Sequence, residues 1–470
     1  MLDEYISYHA RTRPNAPAIM GLERITFRKL EQDIRRAAFA LGDLKAEPGQ
    51  SVAVAVQTPY LDWVMNLALS RLGTASAPAD DIESEYRVTD NAQATGANVL
   101  VLGADQLRAI ENGPERRQMR RWAHPDALGR IFRTSGTTGE PKRIAISWRV
   151  LGANIMDTIA WHGSRPGLWW VTTGERTPFG YYIMLAAHVC GYPAAVGMGP
   201  NIAAMLQLKP RVLGLLPVHI QWLLDLIPAD HPKWPLTLIS AGSAIPPQMA
   251  EQVGQRLTNH VINGYGATET SGVSVGGLGL LQRHPLATGY LLPGVHVRLL
   301  DDAGEEVPPG ELGRICVSSE KLATGYAGDP EGTARHFRDG WFHSTDLGRL
   351  TDDGLLFLEG RADELMNLGG HKILPGTIDV AVSACPGVKE AAAFAVPGKR
   401  GIDQCGIAVV AGEGFDEARV RAAAATKLMT AQRTKIMLVD ALPRNVMGKV
   451  ERLKLRAMWE SFLAAHAAER

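Results

Sequence analysis

Short apolar runs alternate with stretches of helical spacing along most of this chain, and this alternation is what most limits the folds available to it. The runs are rich in valine, leucine and isoleucine, and each has the length of a buried strand: residues 52–56, 99–102, 212–216 and 236–239. Between them, apolar residues recur three or four positions apart, as on one helix face: Leu30, Ile34, Ala38 and Leu41. Strands that alternate with helices predict layered α/β subdomains.

The character of the sequence changes near Gly294 and again after Gly360. In the first of these regions, shorter apolar runs are divided by turn signals, which predicts a β-rich lobe. In the second, a polar stretch at residues 361–364 is followed by a separate strand–helix pattern, which predicts a small α+β unit. We therefore predict an α/β protein with a large multi-lobed N-terminal domain at residues 1–361 and a small C-terminal domain at residues 362–470.

The charge balance argues against two classes of partner. The 470 residues include 49 basic and 49 acidic side chains, so the formal net charge is zero. No broad electrostatic attraction to nucleic acid or to anionic membranes is indicated, and small molecules or specific proteins are the expected partners.

Residues 1–17 carry acids where a secretory leader carries basic residues, and they lack an apolar segment. A cytoplasmic protein is therefore expected.

One apolar run and the cysteines also bear on location and cofactors. Residues 181–199 are the most membrane-like run, but His188 and Pro193 interrupt it, so a buried helix and strand are expected instead of a membrane span. The cysteines lie far apart, without a CxxC pair or a histidine at zinc-ligand spacing. They are predicted to be reduced core residues: Cys190, Cys316, Cys385 and Cys405.

The most informative segment for chemistry combines glycines, hydroxyl groups and a lysine. It reads Thr134-Ser135-Gly136-Thr137-Thr138-Gly139-Glu140-Pro141-Lys142. Glycine lets the backbone approach a phosphate closely, the hydroxyls add hydrogen-bond donors, and the lysine supplies positive charge. The segment therefore predicts a polyphosphate-binding loop.

Two common nucleotide-binding motifs do not fit this chain. A Walker A loop requires glycine before its lysine and a serine or threonine after it, whereas Pro141 and Arg143 flank Lys142. Two other glycine pairs, at residues 264–266 and 277–279, lack the third glycine and the acidic partner of a dinucleotide-binding loop. A P-loop kinase and a dinucleotide oxidoreductase are therefore disfavoured.

The loop resembles the phosphate-binding signature of the adenylate-forming superfamily, which includes acyl- and aryl-CoA synthetases, adenylation domains of peptide synthetases and luciferases. Further signatures of this superfamily follow in order: Asn263-Gly264-Tyr265-Gly266-Ala267-Thr268-Glu269-Thr270, Gly340-Trp341-Phe342-His343-Ser344-Thr345-Asp346, Gly360-Arg361-Ala362-Asp363, Gly369-Gly370-His371-Lys372-Ile373 and Pro443-Arg444-Asn445-Val446-Met447-Gly448-Lys449. The resemblance implies an ATP-dependent ligase that converts a carboxylic acid into an acyl adenylate and then transfers the acyl group to a thiol.

The resemblance also implies roles for individual residues in binding ATP and Mg²⁺. Thr268 and Lys142 would contact the phosphates, and Glu269 would hold the metal ion. Asp346 and Arg361 would bind the ribose hydroxyls. The remaining nucleotide contacts would come from three segments: Thr134, Ser135, Gly136, Thr137, Thr138 and Gly139; Gly242 and Ser243; and Asn263, Gly264, Tyr265, Gly266 and Ala267.

Two reaction steps are implied, with different groups around one acyl centre. Lys449, which its surroundings alone would mark as a surface lysine, would bridge the carboxylate and the α-phosphate in the first step. In the family the small C-terminal domain then rotates about a hinge acid, which matches Asp363 here. Gly369 and Gly370 would leave room for a pantetheine arm in the second step.

Some features differ from the family pattern or leave alternatives open. Arg143 stands where the phosphate loop usually has glycine, and Ser344-Thr345 replaces Thr-Gly before Asp346. Gly180 occupies the place of the aspartate that pairs with an α-amino group, so an acid without that group is expected. Tyr181, Tyr182 and Met184 line the acyl pocket or belong to the core.

The thiol acceptor and the class of activity also have alternatives. Free CoA is the leading acceptor, and the phosphopantetheine arm of a carrier protein acting in trans is the alternative. From other classes, a non-catalytic nucleotide-binding descendant of the fold and a luciferase-like oxygenase remain. Lys142, Glu269, Asp346, Arg361 and Lys449 occur together in this chain, which argues against the non-catalytic descendant.

Overall fold

The computed structural model describes nearly the whole chain. The described residues are 3–115, 119–134, 141–228, 230–284, 287–368, 371–398, 403–428, 434–445 and 448–467. They form a mixed α/β structure with two large sheets and a smaller C-terminal sheet. The predicted α/β class with a large N-terminal part and a small C-terminal part is confirmed.

The first layer is a largely parallel sheet covered by helices. Its strands run in the order β17-β8-β7-β4-β3-β5-β6, and β8 turns back antiparallel to β7. Trp63 and Phe132 are fully buried in the core of this layer. The elements are α1 (Glu4–Thr12), β1 (Pro17–Met20), β2 (Arg24–Thr26), α2 (Phe27–Leu41), β3 (Ser51–Ala55), α3 (Pro59–Arg71), β4 (Ala75–Ala77), β5 (Tyr86–Thr89), β6 (Val99–Val101), α4 (Ala104–Asn112), β7 (Leu128–Arg133), β8 (Arg143–Ser147), α5 (Trp148–His162) and β17 (Gly325–Tyr326).

The second layer begins with four parallel neighbours, β9 to β12, and continues antiparallel through β13 and β14. The carboxyl ends of the four parallel strands lie at one edge of the sheet, where α/β proteins place their ligands. Its elements are β9 (Trp169–Val171), α6 (Pro178–Cys190), α7 (Ile202–Leu208), β10 (Val212–Leu215), α8 (Pro217–Leu226), β11 (Thr237–Ser240), α9 (Pro247–Arg256), β12 (Val261–Ala267), β13 (Ser271–Gly277), α10 (Leu278–Arg283) and β14 (Ala287–Leu291).

The β-rich lobe is present, but it is not a separate sheet. Its strand β20 pairs with β14, so the lobe extends the second sheet to the order β15-β16-β19-β20-β14-β13-β12-β11-β10-β9. Its core also includes Val273 from the second layer. The further elements are β15 (His296–Leu300), β16 (Gly313–Ser318), α11 (Pro330–His336), β18 (Phe337–Arg338), β19 (Trp341–Leu350) and β20 (Leu355–Arg361).

The C-terminal part has its own small mixed sheet, in which β24 pairs antiparallel with β23 and parallel with β25. Two hydrophobic clusters fill it, one of which includes the buried Ile378 and the other the buried Phe394. A 3-10 turn (Ala362–Glu364) precedes it, and a domain boundary near Asp363 stays a prediction. The elements are β21 (Met366–Leu368), β22 (His371–Ile373), α12 (Pro375–Ser383), β23 (Val388–Val396), β24 (Gln404–Ala411), α13 (Glu417–Ala425), β25 (Lys435–Leu438) and α14 (Arg452–Ala467).

The most membrane-like run, residues 181–199, does not form one continuous helix. The run starts inside α6, which ends at Cys190, and Ala194 then forms a bridge with Trp169. Within the described residues, the helices include none both long and apolar enough to cross a membrane. All four cysteines are free; Cys316 and Cys405 are buried, whereas Cys190 and Cys385 are only half-buried.

Candidate functional site

The predicted phosphate loop connects β7 and β8 as a hairpin. The backbone N–H of Thr134 donates to the carbonyl of Lys142 at 3.0 Å. The next pair of residues away from the loop is Arg133 and Arg143, which lie opposite each other in β7 and β8. The base of the loop is therefore fixed by the sheet. Five of the predicted phosphate-contacting residues lie outside the described residues: Ser135, Gly136, Thr137, Thr138 and Gly139.

Two arginines hold the base of this hairpin to the chain that follows β4. Arg143 forms ion pairs of 2.8 Å with both Asp81 and Glu83. Arg133 donates to the carbonyl oxygen of Asp80 at 2.6 Å. The arginine that replaces the usual glycine is thus engaged in holding the hairpin in place.

Lys142 and Glu269 meet the two ends of one tyrosine, Tyr326. The ammonium group of Lys142 lies over the Tyr326 ring, 4.4 Å from its centroid. The Tyr326 hydroxyl donates to Glu269 Oε1 at 3.2 Å. Burial raises the pKa of Glu269, although hydrogen bonds and the nearby Lys142 oppose this rise. A carboxylate, an ammonium group and a phenol therefore lie together beside the predicted phosphate hairpin, which is the β7–β8 hairpin.

Glu269 and Thr268 lie in the tight turn that joins β12 to β13. The N–H of Ala267 donates to the Thr270 hydroxyl at 3.0 Å, and the N–H of Thr270 donates to the carbonyl of Ala267 at 3.2 Å. The next residue, Ser271, has a positive φ of 62°. These bonds set the turn, so Thr268 and Glu269 are presented by a fixed backbone.

A second group of polar residues forms between β12, β19 and β20. The Tyr265 hydroxyl donates to Asp346 Oδ2 at 2.7 Å. Burial and the charge of Asp346 raise the pKa of Tyr265 well above its usual value. Asp346 lies directly opposite Arg361 in the β19–β20 pair, so the two predicted ribose ligands are neighbours. The Ser344 hydroxyl accepts from the N–H of Asp346 at 3.0 Å, which ties this departure from the family motif to the site.

The guanidinium of Arg361 is also engaged by the predicted hinge residue. Its Nε donates to Asp363 Oδ1 and its Nη2 donates to Asp363 Oδ2, each at 2.8 Å, so the ion pair is bidentate. Burial acts to raise the pKa of Asp363, but its bonds to Arg361 outweigh burial and lower it. The predicted ribose ligand and the predicted hinge are therefore joined directly.

The other predicted nucleotide-contacting residues lie at the carboxyl edge of the parallel strands. Gly242, with φ of 92°, and Ser243 follow β11. Asn263 lies beside Ser240 in the parallel pair, and the chain continues through Gly264 to Ala267. The side-chain oxygen of Asn263 is buried and has no hydrogen-bond partner within the described residues.

Lys449 lies in a turn that reaches the same edge. Its N–H donates to Asn445 Oδ1 at 3.0 Å, and the N–H of Asn445 donates to its carbonyl at 2.9 Å. A Cβ placed on Gly448 would lie 3.4 Å from Val218 Cγ1 and 3.8 Å from Leu216 Cδ1, in the chain just after β10. Gly448, in the Lys449 turn, therefore lies close to the N-terminal part beside the strand ends. Gly369 and Gly370 lie outside the described residues.

The backbone near the start of α6 requires a glycine at position 180. A Cβ at Gly180 would lie 1.7 Å from the carbonyl oxygen of Gly174, so no larger residue fits. Tyr181 and Met184 are buried in the core. The guanidinium carbon of Arg130 lies over the Tyr181 ring, 4.2 Å from the ring centroid. These two side chains therefore belong to the packed interior, and the half-buried Tyr182 packs against it.

Tyr326 was not among the predicted site residues. It lies 57 positions from Glu269, and pairing of β17 with β8 brings it to the hairpin. The local signal, a tyrosine after glycine in a short run, is too common to indicate a site. Tertiary contact alone reveals it.

Known proteins share the family signature and the fold. The family model described as AMP-binding enzyme matches residues 6–327. A sulfoacetate–CoA ligase of Cupriavidus necator is 32% identical over 70% of this chain and 67% of its own length. A fatty acid–[acyl-carrier-protein] ligase, ScoC, of Streptomyces coeruleorubidus is 25% identical over 96% of this chain and 95% of its own length. ATP-bound MatB from Rhodopseudomonas palustris superposes with a TM-score of 0.84 at 26% identity, covering 97% of this chain and 99% of that chain.

Proposed function

The chain belongs to the family of AMP-binding enzymes, and from this premise we propose how its residues divide the work of acid activation. It is an AMP-forming acid–thiol ligase, which uses ATP to activate a small-molecule carboxylic acid and passes the acyl group to a thiol.

One observation carries the assignment of the nucleotide site. The Lys142–Tyr326–Glu269 group and the Tyr265–Asp346–Arg361 group are both anchored on β12 and the turn that follows it. The first offers charges suited to phosphates and a metal ion, and the second offers an aromatic ring and diol ligands. ATP would therefore bind with its phosphates towards Lys142 and its ribose towards Asp346 and Arg361.

The residues present fit a magnesium ion bound together with the nucleotide. Mg²⁺ prefers oxygen ligands and is usually held by one or two carboxylates plus phosphate oxygens. Glu269 supplies one half-buried carboxylate, and the described residues contain no cluster of three or more metal-ligating side chains that would form a complete cage. When bound, the ion would neutralise phosphate charge. Glu269 is proposed to hold it there.

Adenylation requires positive charge where negative charge develops. A carboxylate oxygen attacks the α-phosphorus, the bond to the bridging oxygen breaks, and pyrophosphate leaves. Lys142 and Thr268 would contact the phosphates, while Lys449 would bridge the acid and the α-phosphate. The turn that holds Lys449 lies close to Leu216 and Val218, near the carboxyl end of β10, which supports this role.

The thiol step is proposed to use CoA, with rotation about Asp363 and a channel at Gly369 and Gly370. The similarity to CoA ligases supports this acceptor. The similarity to an acyl-carrier-protein ligase supports the second candidate, a phosphopantetheine arm. Thioester formation measured with CoA and with a panel of holo-carrier proteins distinguishes them.

The acid is proposed to lack an α-amino group. The aspartate that would pair with such a group has no counterpart, and the contact of Gly180 with Gly174 leaves no space for one. A screen of aliphatic, aryl, sulfonated and hydroxy acids for acid-dependent pyrophosphate release identifies the substrate. Amino acids are expected to give no signal.

Lys449→Ala tests the division of labour. We expect it to abolish acid-dependent exchange of pyrophosphate into ATP, while thiolysis of supplied acyl-AMP stays close to wild type. The matched control is Lys454→Ala, which removes an exposed lysine paired with Glu451 and should change neither step. Equal loss of both steps in Lys449→Ala contradicts the proposed role.

A further inference from the structure

Tyr326 lies on a short segment that joins the phosphate hairpin to the Glu269 turn through the backbone. The N–H of Ala327 donates to the carbonyl of Arg143 at 2.8 Å, on the hairpin strand β8. The N–H of Ala323 donates to the carbonyl of Glu269, also at 2.8 Å. The backbone of this segment therefore holds the phosphate hairpin and the Glu269 turn at a fixed distance from each other.

The Tyr326 side chain continues this connection with its two chemically different parts. The ring face receives the Lys142 ammonium, and the hydroxyl donates to Glu269. The ring itself is held by edge contacts with His336 and Phe337, whose centroids lie 5.9 Å and 5.5 Å away. With 6% of its surface exposed, Tyr326 has little freedom to turn away.

Without this ring, Lys142 and Glu269 would be free to pair with each other. They carry opposite charges and interact electrostatically, but in the described structure the ammonium lies on the ring and the carboxylate on the hydroxyl. An ion pair between them would occupy the same groups that the proposed function assigns to the phosphates and to Mg²⁺. Tyr326 satisfies both groups weakly, so each remains available to a stronger ligand.

We propose that Tyr326 is a positioning residue, which holds Lys142 and Glu269 apart so that the lysine meets phosphate oxygens and the carboxylate meets the metal ion. This inference rests on the proposed function, because it uses the roles assigned there to both residues. The hydroxyl acts on the Glu269 side, and the ring acts on the Lys142 side. The two contributions can therefore be separated by substitution.

The test measures ATP binding by calorimetry, with Mg²⁺ and with EDTA, independently of turnover. Tyr326→Phe keeps the ring and removes the hydroxyl, so we expect ATP binding to weaken about tenfold with Mg²⁺ and to stay unchanged with EDTA. Tyr326→Leu removes both contributions, so binding should weaken under both conditions. The matched control Tyr290→Phe removes an exposed hydroxyl that donates to Asp353, and it should change neither value.

A double substitution distinguishes positioning from general support of the fold. In a Glu269→Gln background, Tyr326→Phe should cause no further loss of Mg²⁺-dependent binding, because its hydroxyl acts through the carboxylate. The proposal is overturned if Tyr326→Phe binds ATP like wild type with Mg²⁺, loses affinity equally with EDTA, or adds its full effect in the double variant. Failure of wild type to bind ATP at all would instead overturn the proposed function.

Discussion

At the scale of single residues, Arg143 shows how a departure from a family pattern can be accommodated. The phosphate loop usually has glycine here, and the arginine side chain is directed to Asp81 and Glu83. Asp81 is almost fully buried, whereas Glu83 is exposed. Most of the energetic consequence of the arginine therefore lies in its pairing with Asp81.

Arg143→Gly is expected to destabilise the protein although it restores the family residue. It leaves the Asp81 carboxylate buried without its cation, which should lower the free energy of unfolding by about 3 kcal/mol in a denaturant titration. The double variant Asp81→Asn, Arg143→Gly should lose less than Arg143→Gly alone, because no unpaired charge remains. A lower free energy of unfolding for the double variant than for Arg143→Gly alone contradicts this explanation.

At the scale of elements, α3 and α6 pack through a buried histidine. Trp63 Nε1 donates to His188 Nε2 at 3.0 Å, so that nitrogen carries no proton. Burial, with a smaller contribution from the charge of His9, lowers the pKa of His188 to about 3, although a backbone hydrogen bond at Tyr192 opposes this. The contact between the helices therefore depends on a neutral imidazole.

This pKa predicts a loss of stability in acid. The unfolded chain binds a proton on His188 below its ordinary pKa of 6.5, whereas the folded protein does not until the pH nears 3. His188 should therefore contribute about 2 kcal/mol less to the free energy of unfolding at pH 5 than at pH 7.5. His188→Gln, which keeps an acceptor for Trp63, should reduce the pH dependence by that amount. An unchanged slope would contradict a neutral buried His188.

The elements themselves could largely be predicted from the sequence, but their long-range pairing could not. The runs at residues 52–56 and 212–216 became β3 and β10, because local apolar spacing determines such strands. The expected separate β-rich lobe instead joins the second sheet through Ala287 and Phe357. Nothing in the local pattern encodes a pairing across that separation.

The same limit applies to the site. Asp346 and Arg361 could be named from motifs, and they are indeed neighbours in one strand pair. Tyr326 could not be named, because its importance comes from where β17 pairs and not from its own sequence context. Motifs therefore identified candidate ligands, whereas the residue between them required tertiary structure.

At the scale of the whole molecule, one exposed ion pair joins the C-terminal part to the β-rich lobe. Lys372 Nζ lies 3.1 Å from Asp302, with both side chains more than half exposed. Exposed pairs contribute little, so Lys372→Ala should leave the free energy of unfolding nearly unchanged in a denaturant titration. The rates of adenylation and thioester formation should also remain within twofold. A large loss of either rate would show that this contact holds the two parts in a required arrangement.

The ion pair between Arg361 and Asp363 has a consequence for the order of events. A guanidinium has a limited set of donors, and the carboxylate two residues later already takes two of them. The guanidinium has further donors, so a ribose bound as proposed would compete with Asp363 only where it uses the same edge of Arg361. If the ribose uses that edge and Asp363 acts as the proposed hinge, departure of AMP and re-formation of the Arg361–Asp363 pair would be reciprocally linked. Loss of the spent nucleotide would then favour the return of this ion pair and of the arrangement of Arg361 and Asp363 described above.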